Sequence, residues 1–273
     1  MRCGHTYGAD GKDCEKGSAE GVTFATAYIG GMVALGGLIT GSFLNVVIYR
    51  LPRGESLARP GSHCPSCGHA VRWYDNIPVL SFVVLRSRCR DCGVHIPVRY
   101  PLVEGLTGCL FLATFCIYGL EWRTLDTLVF LSMLVTVTFI DIDRRIIPDK
   151  IVLPGAVLGL AASILLSPEH WWSFLVAGIG AAGFLFALGL LWPGGMGFGD
   201  VKLALFMGFV LGAGVIVALF AGFLVGGVVG VILLLSGAKK RTDKVPFGPY
   251  LSLGAAAAAL AGTSILNWYL NLW

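Results

Sequence analysis

Two carboxylates stand where charge is least expected. Asp200 lies in Met196-Gly197-Phe198-Gly199-Asp200-Val201-Lys202, at the mouth of a long apolar run, and Asp141 lies in Phe139-Ile140-Asp141-Ile142-Asp143-Arg144-Arg145, where another apolar run meets a basic loop. An ionisable side chain at the edge of an apolar segment is costly to keep, so it marks function once a partner is found. Asp141 and Asp200 are each other's best partner. Two carboxyls brought together from two helices do not both ionise cheaply, so one holds a proton while the other acts as base toward a water. Asp143 is two residues from Asp141, about 200° round a helix, so only one of the two can face Asp200.

A second constellation is Cys64-Pro65-Ser66-Cys67 and Cys89-Arg90-Asp91-Cys92, with 21 residues between the two halves. Four thiolates in two such knuckles close a tetrahedral Zn2+ site, and a loop of this size has no core of its own to hold it together. A redox or disulfide use of one pair is the alternative, but the βαβ context of a thioredoxin-like protein is missing. His63, His69 and His95 flank the knuckles, and the tetrad is complete without them. Cys3 and Cys14 pair or stay free according to compartment. Cys109 and Cys116 are expected to be small core residues of a helix. Asn45 reads as a helix-to-helix hydrogen bond or as part of a site, and Glu104 as an anion favoured at a helix N-terminus or as a substrate or cosubstrate contact. Asp149 is expected as a cap or loop residue. Pro246-Phe247-Gly248-Pro249-Tyr250 is either a rigid turn or a wall of the site's mouth, and Gly197 and Gly199 are expected to give the backbone freedom for a substrate strand to come close.

The elements that must position these groups span a bilayer. With 56% hydrophobic and 13% charged residues, the chain falls far from the composition of a soluble domain. Apolar runs of about 20 residues, the length that crosses a membrane, lie at roughly 22–49, 101–120, 124–142, 151–167, 171–192 and 248–270. The run Val201 to Leu235 is too long for one crossing and is expected to fold back near Gly212-Ala213-Gly214. The fold class is therefore an all-α polytopic membrane protein of about eight transmembrane helices, the sixth short. It has a polar N-terminal tail over 1–21, a first span over 22–49, a zinc-stapled loop domain over 50–100 and a membrane domain over 101–273. The tail lacks the pattern of a secretory signal. Eight arginines between Arg50 and Arg99 put that loop in the cytoplasm by the positive-inside rule. Alternation then places Arg144-Arg145, the Pro193–Gly199 connection and Lys239-Lys240-Arg241 on the same side, so that Asp141 and Asp200 share the cytoplasmic face.

Six motifs in order resemble a type IV prepilin peptidase. They are Gly41-Ser42-Phe43-Leu44-Asn45 through Arg50-Leu51-Pro52, the cysteine tetrad with Asn76-Ile77-Pro78 inside it, Arg99-Tyr100-Pro101-Leu102-Val103-Glu104, Asp141-Ile142-Asp143 with Ile147-Pro148-Asp149, Gly197-Phe198-Gly199-Asp200, and Pro246-Phe247-Gly248-Pro249. The resemblance covers about Gly41 to Ala255. It implies a GxGD-type aspartic endopeptidase of the bacterial inner membrane, catalytic through Asp141 and Asp200, with Cys64, Cys67, Cys89 and Cys92 as the structural zinc ligands. It implies as substrates prepilins and type II secretion pseudopilins, whose basic leader is cut on the cytoplasmic side, and methylation of the new N-terminus from S-adenosylmethionine. Ser87 departs from the pattern, since relatives usually carry Gly two residues before the third cysteine, and a peptidase without methyl transfer is the alternative.

Other classes make different demands. A proton-coupled transporter holds paired carboxylates near the midplane of inverted repeats, whereas both acids here sit at span ends and no inverted repeat is visible. A zinc-bearing assembly subunit needs neither acid. Nucleic acid is not an expected partner, and the hydrolysis itself needs no metal.

Overall fold

The computed structural model describes residues 11–191, 196–237 and 246–270, with side chains over 24–262 of that set. The expected pairing of Cys3 with Cys14, the basic Lys239-Lys240-Arg241 and the start of the Pro193–Gly199 connection lie outside what is described. Among the described residues there are nine α-helices and no strand. They are α1 (Gly11–Arg50), a single-turn α2 (Leu80–Val84), α3 (Arg99–Tyr118), α4 (Trp122–Arg144), α5 (Asp149–Leu166), α6 (Trp171–Leu191), α7 (Phe198–Leu211), α8 (Val215–Leu235) and α9 (Gly248–Leu270).

The expected break is where the glycines stand. Phe198–Leu235 forms one 38-residue apolar stretch, and a 3-10 turn over Gly212–Gly214 divides it into α7 and α8, with Gly212 at φ 55°, a left-handed value that glycine adopts without penalty. At 14 residues, α7 reaches about 21 Å, short of a ~30 Å hydrocarbon core. Among the described residues six stretches are long and apolar enough to cross a membrane, with Phe198–Leu235 taken as one. Dividing that stretch and adding α9 gives eight helices besides the single-turn α2, so about eight spans is an approximate count. The first is longer than expected: α1 starts at Gly11, so the second half of the polar stretch read as a loose tail continues the helix.

Lipid is the solvent of this fold, and its outer faces are apolar: Leu165 is 81% and Leu235 83% exposed. Cohesion must then come from close packing, which small residues permit. A Cβ on Gly41 of α1 would lie 2.7 Å from Glu104 Cα, and one on Gly37 would lie 2.8 Å from Gly108 Cα, so α1 and α3 touch backbone to backbone. Gly178 of α6 and Gly208 of α7 abut in the same way, as do Gly254 of α9 and the Ala218 carbonyl of α8. Larger side chains fill the centre, where α4, α5, α7 and α9 bury Leu131, Val152, Met207 and Leu251 and the Phe130 and Phe206 rings meet edge to face at 5.1 Å. A second cluster of Leu44, Ile48, Val103, Phe139 and Ile140 ties α1 and α3 to the end of α4. Ile140, fully buried, carries that packing up to the residue before Asp141.

Candidate active site

Asp141 ends the buried face of α4 and is itself only 5% exposed, while Asp143 is exposed. The two-residue step places them on opposite sides, as helical geometry requires. Asp143 pairs with Arg99, tying the end of α4 to the start of α3. Asp141 instead turns into the bundle, where its Oδ2 accepts the Gly248 N–H at 3.0 Å. That amide is one of the free donors at the N-terminus of α9, and the positive end of the helix dipole favours an anion there. A side chain at 248 would have to displace the Asp141 carboxyl, because a Cβ would stand 2.7 Å from Asp141 Oδ2.

Asp200 is set by the same physics at another helix start. It lies in the first turn of α7, 7% exposed, and its Oδ2 accepts the Gly197 N–H at 3.1 Å. Asp141 and Asp200 are close enough for their carboxyls to interact electrostatically. Each has one oxygen fixed by an amide and leaves its Oδ1 without a protein partner among the described residues, so an ionised Oδ1 can accept from a water and a protonated one can donate to a substrate carbonyl.

The position of α7 is fixed by its neighbours. Gly199 packs against Ile147, 2.9 Å from where its Cβ would be, and Lys202 Nζ binds both oxygens of Asp149, at 2.7 and 2.8 Å. Two expectations change here. Asp149 is the first residue of α5 and the ionic partner of Lys202, not a cap, because Pro148 holds the N-cap position. Gly197 is extended at φ −82°, ψ 145°, and Gly199 is helical, so these glycines admit Ile147 and an amide contact where backbone freedom for substrate is expected.

The cysteine loop leaves α1 at Arg50 and enters α3 at Arg99, whose pairing with Asp143 puts the loop's base at the Asp141 end of the bundle. The two knuckles fold alike. Cys64 N–H donates to His69 O and Cys89 N–H to Val94 O, at 2.9 and 2.8 Å, and each knuckle closes on a left-handed glycine, Gly68 at φ 72° and Gly93 at φ 69°. The four sulfurs all lie within 4.8 Å of one another, with Cys64 Sγ and Cys92 Sγ at 3.8 Å. A tetrahedral zinc with Zn–S bonds of about 2.3 Å sets its sulfurs roughly 3.8 Å apart. The donor set fits such an ion. Within the cluster the Cys67 backbone N–H holds the Cys64 thiol down to about 6, whereas Cys92, despite the Val94 N–H, is pushed up to about 12 by desolvation and its neighbouring sulfurs. Four thiols so crowded become thiolates together only around a cation. His63, His69 and His95 lie outside the sulfur cluster.

Polar side chains anchor this loop to the helices. Arg50, 6% exposed, donates to the Ser56 and Gly61 carbonyls at 3.0 and 3.1 Å, and within the loop Arg90 holds Asp75 with two nitrogens at 2.6 and 2.9 Å. Glu104 accepts the Val79 N–H at 2.7 Å, so it caps α2 across the loop where capping of its own helix is expected. Asn45 Nδ2 donates to Tyr100 O at 3.0 Å, joining α1 to α3. Cys109 and Cys116 are exposed toward the bilayer, where core positions are expected. A thiol is apolar enough for lipid.

Two family models match the chain in tandem. The bacterial peptidase A24 N-terminal domain covers residues 35–118, which include the tetrad, and the type IV leader peptidase family covers residues 128–231, which include both aspartates. Proteins called prepilin leader peptidase/N-methyltransferase match nearly end to end: that of Aeromonas hydrophila is 38% identical over 88% of this chain and 93% of its own length, and that of Bacillus subtilis (strain 168) 35% over 86% and 96%. The chain belongs to the type IV leader peptidase family. The Myxococcus xanthus (strain DK1622) member is 43% identical over 73% of this chain and 62% of its own length. No solved structure matches the chain. For a leader peptidase, one contact in the site was missed from the sequence, the Gly248 amide. Its signal is a glycine between Phe247 and Pro249 at a helix start, where N–H groups are free by construction.

Proposed function

We propose that this leader peptidase cuts the leader from prepilins and pseudopilins with Asp141 and Asp200 as its catalytic pair, and methylates the exposed N-terminus from S-adenosylmethionine. The observation that carries the proteolytic reading is the burial of two carboxyls at adjoining helix ends, each fixed by one backbone amide and each with one oxygen free. In the reaction, the ionised carboxyl takes a proton from water as the water oxygen attacks the scissile carbonyl. The protonated carboxyl hydrogen-bonds the carbonyl oxygen, and as the C–N bond breaks a proton passes to the leaving amine. The amides of Gly197 and Gly248 hold both carboxyls in register through the cycle.

The zinc reading rests on the sulfur spacing, with Cys64, Cys67, Cys89 and Cys92 holding Zn2+ as a structural ion that supplies folding energy to the loop. We assign residues 50–100 to this loop domain and 101–273 to the peptidase domain, after a tail over 1–21 and a first span over 22–49. The arginines of the loop support a cytoplasmic site in a bacterial inner membrane. There a basic leader meets an anionic surface while the apolar stem beyond the cut lies along the helices. The test is incubation of purified enzyme in proteoliposomes with one prepilin and S-adenosylmethionine, read by intact mass. Loss of the leader with a methyl increment is the expected result. Cleavage with no increment removes the methyl-transfer half, and an intact prepilin removes the whole reading.

A further inference from the structure

The other end of the bundle carries a site that the proteolytic reading does not use. Between the first turns of α4 and the far ends of α5, α7 and α9 is a cavity of about 1170 Å3. It contains Asp126, fifteen residues and so about 22 Å along α4 from Asp141. Asp126 is half-buried, and Arg123, one turn before it, is exposed. Opposite charges three apart on a helix ordinarily pair. These do not: Arg123 lies over the Tyr118 ring at 5.2 Å, and among the described residues neither group makes an ion pair. The cavity thus presents a carboxylate and a guanidinium that act on each other through space with no ion pair closed between them.

A second, apolar cavity of about 450 Å3 leads away from the first, the two sharing Asp126, Trp122 and Phe130. Its walls run down α4 from Trp122 to Met133 and along Leu158, Leu165 and Phe206. Eleven residues of helix are about 16 Å, half of a ~30 Å hydrocarbon core, so the groove is one leaflet deep. A charged chamber at headgroup level that opens into a leaflet-deep apolar slot matches one kind of molecule in both charge and length.

We propose that this is a binding site for an amine-headed zwitterionic phospholipid of the leaflet opposite Asp141 and Asp200. The ammonium pairs with Asp126, the phosphate with Arg123, and an acyl chain fills the groove. Glu121 at the rim adds negative charge that disfavours anionic lipids. The test uses the full chain in nanodiscs of equal phosphatidylethanolamine and phosphatidylglycerol, extracted into mild detergent and weighed by native mass spectrometry. Wild type is expected to retain one phosphatidylethanolamine in preference to phosphatidylglycerol, and Asp126→Asn to lower that preference about tenfold, the size of one charge-assisted contact. Arg123→Gln, at an exposed position, lowers retention of both lipids, and Leu158→Trp does the same by filling the slot. Equal retention of the two lipids by wild type, an unchanged preference in Asp126→Asn, or full retention by Leu158→Trp overturns the assignment.

Discussion

At Gly248 the distance between a hydrogen and a methyl group decides where the proposed catalytic Asp141 can point. An alanine there would press its Cβ against Asp141 Oδ2, where the gap is 2.7 Å, and turn the carboxyl away from Asp200. Displacement of a reacting group by about 1 Å costs roughly a hundredfold in rate, so Gly248→Ala should lose that much cleavage while the protein still inserts and melts near the wild-type temperature. Ser87 poses the reverse case. It sits at φ 60°, a left-handed conformation that costs an L-residue about 1 kcal/mol relative to glycine, and it precedes the second knuckle by two residues. Ser87→Gly should therefore stabilise the loop by up to about 1 kcal/mol, read as slower loss of metal to a chelator. Lower stability with Gly would contradict the strain. The left-handed backbone at 87 was not legible in the sequence, because a positive φ leaves no mark on a serine. The aspartates were legible, because a charge at the end of an apolar run has few innocent explanations.

Helix contacts show where sequence reading stops. Spans, their order and the break at Gly212–Gly214 follow from length and hydrophobicity, which are local properties. Which helix meets which depends on residues far apart in the chain. Glycines at 178 and 208 lie 30 positions apart, yet a Cβ on Gly208 would fall into the Gly178 backbone. Gly208→Ala should then cost about 1–3 kcal/mol of overpacking and lower the thermal midpoint, with a larger effect than Gly→Ala at exposed-facing Gly180, which has nothing within 4 Å. The outward-facing Cys109 and Cys116 were misread because α3 is apolar on every side, so periodicity could not tell lipid from core. Glu104 was half legible. Its carboxylate serves a helix N-terminus, but that of α2, 25 residues away. Glu104→Gln keeps an acceptor for Val79 N–H and should leave the loop as resistant to protease as wild type, whereas Glu104→Ala should open it to cleavage near 79. Equal resistance in the two variants would remove the anchoring role.

The whole molecule joins a loop built round four clustered cysteines to a carboxylate pair at one end of a helical bundle, and the two parts should fail separately. Purified protein should hold about one zinc per chain, and Cys→Ser at any of positions 64, 67, 89 or 92 should release it and expose the loop to protease. Because both aspartates are held by helix amides and not by the loop, part of the cleavage should survive loss of zinc, whereas methyl transfer should fall first. The central claim is that Asp141 and Asp200 form one catalytic unit. Its most direct test is the single-turnover cleavage rate of a prepilin by wild type, Asp141→Asn, Asp200→Asn, the double variant and Asp143→Asn, all in the same proteoliposomes. Groups that act together are not additive when removed. The rate should vanish in each single variant, fall no further in the double variant, and remain substantial in Asp143→Asn, whose carboxylate faces Arg99. Activity in Asp141→Asn together with its loss in Asp143→Asn would contradict the account.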